Sequence, residues 1–268
     1  MGENMDIDQI GPTTVCFVTG RPWKDAVISL LEPRSPYRPW TTQESVEPGH
    51  SVVVALDTDP TSVLSAVGTV GSDGEIRSAI TQIKSYRREA LLEMATLDML
   101  SMEDIESVLD RYVRQGAKAL FGHTSLAAAR VLLASRGRCT ACNTGLALSG
   151  RNARDQIHIH TAEFVDTDGR PIEVDLWDSY AQYSAIDWPA ALCNLCAATM
   201  RDEGFTSFLD FQFASRPSCP ECSAQRTMTP LYGMPAGPIE EPWIATMGCV
   251  VVEPRAKWVC GHCRHEWR

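Results

Sequence analysis

Apolar residues change their spacing several times along the chain. From Thr13 to Val70 they fall in short runs, TVCFVTG, HSVVVALD and SVLSAVGTVG, separated by turn formers such as Pro33, Pro36, Pro39, Pro48, Gly49 and Pro60, which predicts short strands. After Gly74 the spacing lengthens to that of a helix, with Ile76, Ile80 and Ile83 followed by Ala90, Leu91, Met94, Leu97 and Leu100 on one face. Ser101 and Asp104 stand in capping-box positions ahead of Ile105, Val108, Leu109, Tyr112 and Val113, predicting a second helix. A third is expected from Thr124 or Ser125 to Ser135, ending at Gly137. Beyond it, QIHIHTAEF and IEVDLW read as strands around the turn VDTDGRP, a helix is expected from the second cysteine pair through Met200, and IATMGCVVVEPRAKWVC reads as hairpin strands. The expected class is α+β, in three parts: 1–137, 138–210 and 211–268.

Composition narrows this picture. With 44% hydrophobic and 22% charged residues the chain can bury cores, and it contains no apolar run long enough to span a membrane. The opening MGENMDIDQIGP is acidic rather than a secretory leader, so a cytoplasmic location is expected. The net charge of −10 argues against indiscriminate binding to nucleic acid. It is unevenly spread: residues 151–210 hold 4 cationic and 11 acidic groups, whereas 211–268 hold 6 and 5. A polyanion would have to meet a local patch.

Cysteine spacing carries the strongest chemical signal. Chance placement of ten cysteines would give about 0.4 C-x-x-C pairs, and the chain has four. Two thiolates two residues apart grip one side of a tetrahedral ion, and two such knuckles complete a four-thiolate zinc site. Two structural Zn²⁺ ions are therefore expected, one on Cys139, Cys142, Cys193 and Cys196, the other on Cys219, Cys222, Cys260 and Cys263. Disulfides, which need an oxidising compartment, and redox chemistry at C-x-x-C are the alternatives. His262 and His265 lie near the last knuckle, but four cysteines suffice without them. Cys249, in an apolar run, reads as a buried small hydrophobe.

Three stretches resemble known families. CFVTGRPW, the turn into VEPGHSVVVALD and the following AVGTVG resemble the EVE and PUA-like families, small β-barrels that hold a nucleobase; this implies a barrel-like unit with covering helices over 1–137. On that resemblance Trp23, Tyr37 and Trp40 are candidate base-binding walls, since a flipped base needs flat apolar surfaces; the other reading of each is ordinary packing. From Arg138 to Phe208 the order of C-x-x-C, histidine-bearing strand, hairpin and C-x-x-C-bearing helix is similar to zinc-knuckle HNH nucleases, a ββα module. CPEC and CGHC with hairpins between them look like a zinc ribbon, which binds nucleic acid or a protein partner or stabilises a terminus.

The HNH resemblance implies a DNA endonuclease in which a neutral histidine takes a proton from water and Mg²⁺ or Mn²⁺ neutralises the phosphate. His158 and His160, two apart on a strand and so on one face, are the catalytic candidates, and Asp187 and Asp202 the candidate ligands of the catalytic metal. The family's Asn before the second knuckle and His after it are replaced here by Asp187-Trp188-Pro189 and by Ala197 and Arg201-Asp202. Two expectations follow. In one, the chain is a DNA-binding, modification-dependent endonuclease, since the joining of the first two parts resembles modification-dependent restriction enzymes, which implies modified DNA as partner. In the other it is a non-catalytic, zinc-scaffolded binding or adaptor protein.

Overall fold

A computed structural model describes residues 15–32, 34–42, 51–59, 62–70, 76–77, 83–84, 120–165, 185–233, 241–248 and 255–268. Among the described residues the fold is mixed α+β, built on three sheets. Two compact units divide the chain: one comprises Met1–Gln115, Thr124–Cys139 and Thr144–Ile157, the other Gly116–His123, Thr140–Asn143 and His158–Arg268. The second takes in most of 138–210 and all of 211–268.

The first unit is organised by one sheet. β1 (Val15–Gly20) pairs antiparallel with β2 (Trp40–Thr42) and parallel with β3 (Ser51–Leu56), which pairs antiparallel with β4 (Ser62–Val70). β5 (Ile76–Arg77) and β6 (Ile83–Lys84) both pair with β4, at its two ends. Among the described residues the sheet is open rather than a closed barrel, which corrects the barrel-like expectation. Ile76 and Ile83, read from sequence as part of a helical face, belong to these strands; the helices expected over the rest of 76–113 lie outside the described residues. A parallel β1–β3 pair demands a crossover, and the chain supplies α1 (Trp23–Leu31), which the sequence reading passed over. Its Ala26, Val27 and Ile28 are buried, as are Val54, Ala55 and Leu56 of the strand at the sheet's centre. α2 (Ser125–Ala134) matches the third expected helix, with the Thr124 hydroxyl accepting from the Ala127 amide at its start.

Gly20 marks where this unit closes most tightly. A Cβ there would stand 2.5 Å from the Ala26 Cβ and 2.7 Å from a ring carbon of Trp40. Ala26 cannot swing away because its Cβ is fixed directly to the helix backbone. Gly20→Ala is therefore expected to destabilise the first unit by about 1–3 kcal/mol through overpacking, read as a lowered thermal midpoint.

Polar contacts within the same unit fix the entry to the strand that follows. Asp25, buried in the first turn of α1, takes both Arg154 nitrogens, one of them Nε at 2.7 Å. The Lys24 ammonium donates to the carbonyls of Arg154 and Ile157 at 2.6 and 2.7 Å, and burial pulls its pKa below the usual lysine value. These bonds hold α3 (Ala153–Gln156) and the start of β7 (Ile157–His160).

The second unit contains the two-stranded sheet of β7 with β8 (Ala190–Cys193), then α4 (Asn194–Asp202) and α5 (Phe208–Ala214). A four-stranded sheet in the order β10-β9-β11-β12 follows, from β9 (Thr227–Leu231), β10 (Ile244–Thr246), β11 (Trp258–Cys260) and β12 (Glu266–Trp267). The aromatic core of this unit is a run of edge-to-face contacts: Phe121 with Phe164 and Trp188 at 4.5 and 5.0 Å, and Trp243 with Trp188 and Phe208 at 6.2 and 5.6 Å. The turn and strand expected over 166–177, and Cys249, lie outside the described residues. No helix among the described residues is long and apolar enough to cross a membrane.

Candidate functional site

Both cysteine sets converge as their spacing predicts. In each, the four Sγ atoms lie within 4.8 Å of one another, and all eight residues are thiols rather than disulfides. Bonds of about 2.3 Å to a tetrahedral zinc set sulfurs about 3.8 Å apart, and the separations are 3.9 Å for Cys142–Cys193, 3.6 Å for Cys219–Cys263 and 3.5 Å for Cys222–Cys260. Both tetrads suit structural zinc.

Three of the four knuckles share one local geometry. The amides of Cys139, Cys219 and Cys260 donate to the carbonyls of Thr144, Ala224 and His265, five residues on, at 2.8 to 2.9 Å. The residue directly after each second cysteine, Asn143, Ser223 or Arg264, has φ of 58°, 58° or 63°. That left-handed residue reverses the chain and brings the next carbonyl back to the first cysteine's amide; only Asn among the three is well suited to it. The fourth knuckle differs. Cys193 caps α4 and Cys196 lies in its first turn. The first centre thus joins a knuckle to a helix start, and the second joins two knuckles across one sheet.

Thiol ionisation in the second centre shows what an ion contributes. Burial pushes the Cys219 thiol up, but the amides of Cys222 and Glu221 and the neighbouring thiols outweigh it and bring the pKa down to about 7. For Cys263 the His265 amide favours thiolate, yet burial and the surrounding thiols win and push it up to about 12. A divalent cation supplies the charge that lets all four ionise together.

Beside the first centre lies an open cavity of about 440 Å³ lined by His158, Ile159, His160, Leu192, Ala197, Met200, Arg201, Gly204, Phe205 and Thr206. Two local features shape it. His158 and His160 alternate with Ile157 and Ile159 along β7, so both imidazoles project to one side. At the end of α4, Gly204 takes φ of 77°, its amide bonds to the Arg201 carbonyl and the Phe205 amide to the Met200 carbonyl. This is the Schellman closure, which needs a residue free of the left-handed penalty and places Phe205 against Met200 at the cavity wall.

Each histidine is held through Nε2. His160 Nε2 lies 2.7 Å from Asp187 Oδ2, and His158 Nε2 lies 3.0 Å from Asn194 Oδ1. Asp187 is itself fixed, because its Oδ1 accepts the amides of Trp188 and Phe208 at 2.7 and 2.8 Å. The carboxylate at His160 Nε2 places that ring's proton there and leaves its Nδ1 as the basic nitrogen, whereas the Asn194 amide can accept from His158 or, turned over, donate to it.

The sequence-derived candidates are thus brought together in part. His158 and His160 share the cavity, and Asp187 reaches it through His160. Asp202 does not join them: its side chain is 73% exposed and lies 3.6 Å from Arg201. Among the described residues, the groups of three or more metal-ligating side chains are the two tetrads, and neither contains a histidine or an aspartate. Asn194 was not singled out from sequence, and Arg201 was named there only as standing where the resembled family has a histidine. Asn194 lies inside a C-x-x-C pair, where attention falls on the thiols, and its pairing with His158 spans 36 residues. In the first unit Trp23, Tyr37 and Trp40 are half-buried. The Tyr37 hydroxyl donates to the Arg151 carbonyl and accepts the Arg154 amide, and the Trp40 ring packs over Gly20. The chain matches no protein-family model, no curated protein and no solved structure.

Proposed function

We propose that the histidine cavity is a hydrolytic site for phosphodiesters and that the protein is a zinc-scaffolded, HNH-type DNA endonuclease. The observation that carries this reading is the pair of imidazoles on one strand face, His158 beside Asn194 and His160 with Nε2 held by the fixed Asp187 carboxylate and Nδ1 left basic, in a cavity that also holds Arg201. His160, backed by the anchored Asp187 carboxylate, is the general base. Its Nδ1 takes a proton from water, the water oxygen bonds to phosphorus, and the bond from phosphorus to the departing sugar oxygen breaks, that oxygen taking a proton from solvent. The Arg201 guanidinium, exposed at the rim, faces the phosphate charge. Asp187 and Asp202 do not form a site for Mg²⁺ or Mn²⁺ with the histidines, since Asp187 already bonds three donors. The half-buried Trp23, Tyr37 and Trp40 are the aromatics that a base-reading role of the N-terminal sheet would use.

The same saturation of Asp187 favours the second reading, a non-catalytic zinc-scaffolded binding or adaptor protein that engages DNA or a protein partner through its C-terminal zinc ribbon. One assay separates them. Modified and unmodified duplex DNA are incubated with the zinc-loaded chain, with and without Mg²⁺ or Mn²⁺, beside His160→Ala and His158→Ala. The nuclease reading expects cleavage that His160→Ala lowers by about 10²- to 10⁴-fold. Uncut DNA in every arm, with zinc content intact, decides for the binding module.

A further inference from the structure

We propose that the β12 edge of the β11–β12 hairpin is a stacking platform for single-stranded DNA, with bases on His265 and Trp267 and phosphates against Lys257, Arg264 and Arg268. The strands pair Trp258 with Trp267 and Val259 with Glu266. Val259 belongs to the small core with Met228 and Ala245. Alternation along a strand therefore turns Trp258 and Trp267 to the opposite face, where Cys260 and Thr227 are fully buried while Trp267, on the edge strand β12, stays half-buried. His265, two residues from Trp267, lies on that side too, and its ring stacks on the indole at 5.8 Å and 18°. All three rings are only half-buried. Arg216 and Lys257 lie over the Trp258 ring, so His265 and Trp267 are the rings left to a ligand.

Cations flank these rings. The Lys257 ammonium lies 5.6 Å over the Trp258 ring, and the Arg216 guanidinium, pinned by the carbonyls of Thr227 and Trp243, lies 5.7 Å from it. Over 255–268, four cationic side chains, Arg255, Lys257, Arg264 and Arg268, outnumber one carboxylate, Glu266, together with the two negative charges that four thiolates leave on a zinc-loaded centre shared with Cys219 and Cys222. Screening confines fields to roughly 10 Å, so this local excess governs what approaches, not the chain's net charge of −10. An acidic peptide would answer the cations but leave the stacked rings without a counterpart, whereas a nucleic acid strand offers a flat base with each phosphate. Duplex bases already stack on one another, which selects a single strand. Choosing DNA over RNA rests on the reading of the histidine cavity; the stacking does not.

The test uses the zinc-loaded full chain and a fluorescent oligothymidylate, followed by anisotropy across a salt series. Trp267→Ala is expected to weaken binding by about tenfold or more, and Trp267→Phe to keep most of it. Lys257→Glu, at an exposed position, is expected to weaken binding at low salt and to make the salt slope shallower by about 0.7 for each phosphate that it leaves without a cation. Unchanged affinity in Trp267→Ala and Lys257→Glu with zinc content retained, equal affinity for duplex, preference for oligouridylate, or displacement by polyglutamate as effective as by unlabelled oligothymidylate would each overturn the proposal. Loss of cleavage in His160→Ala with oligothymidylate binding intact concerns the cavity alone.

Discussion

Metal analysis of the purified chain is expected to return about two zinc ions per molecule, and stripping them to unfold the C-terminal sheet. The reason is the size of that sheet's own core. Met228, Ala245 and Val259, with Met247 packed at the side, are its buried apolar cluster. Burying a Met or Val side chain contributes about 1.5–3 kcal/mol, while each ordered residue costs about 1–2 kcal/mol of backbone entropy. Such a cluster cannot hold four strands together. A structural zinc contributes on the order of 10–16 kcal/mol of apparent binding free energy at neutral pH, far more than the apolar contacts. Cys260→Ala, which removes a fully buried ligand, should lower the zinc content to about one per chain and abolish the cooperative melting of residues 217–268. Cys142→Ser should also cost one ion but leave more structure behind, because Leu192, Phe208 and Leu209 bury an apolar core next to that centre. A chelated protein that keeps the melting profile of the zinc-loaded one would show that the tetrads do not carry the fold.

The cysteine tetrads were legible in the sequence because a knuckle is local: two residues between thiols set their approach, whether a turn follows, as in three of the knuckles, or a helix, as at Cys193 and Cys196. The same locality explains α2, announced by Thr124 or Ser125 and an apolar run that Arg130 alone interrupts. α1 was missed for a related reason. Pro22 stands before it and Pro33 after it, and WKDAVISLL is as compatible with a strand as with a helix until its place between two parallel strands is known. Ile76 and Ile83 misled the reading in the opposite sense, since a spacing of seven satisfies a helix face while their true partners, Val70 and Leu64 on β4, leave no mark in that spacing. In the cavity, the histidines were found through their alternation on β7. Their partners were not, because Asp187 and Asn194 meet them across 27 and 36 residues and no sequence period reports that distance. Asp187 was read as a metal ligand, and only its bonds to two backbone amides reveal a carboxylate already oriented by the fold.

Those bonds make Asp187→Asn the sharpest test of the chemistry. The substituted amide keeps an oxygen for the Trp188 and Phe208 amides, so the chain around it should be undisturbed. Its other group, an NH₂, then faces His160 Nε2 and donates where the carboxylate accepted. The imidazole can accept that bond only by moving its own proton to Nδ1, the nitrogen that the proposed reaction needs bare. Activity is expected to fall by about 10⁴-fold, the scale seen when a catalytic histidine is held in the wrong tautomer, with zinc content and melting temperature nearly unchanged. Asp187→Ala should behave differently. It strips the acceptor from two amides, each costing about 1–3 kcal/mol when left unsatisfied, so it should lower stability whether or not the cavity is catalytic. Nitrogen chemical shifts of His160 give a readout independent of turnover: protonated Nε2 in the native chain, protonated Nδ1 in Asp187→Asn. A tautomer switch accompanied by undiminished cleavage would remove His160 from the role of base, and an unswitched ring would mean that Asp187 does not set its proton at all.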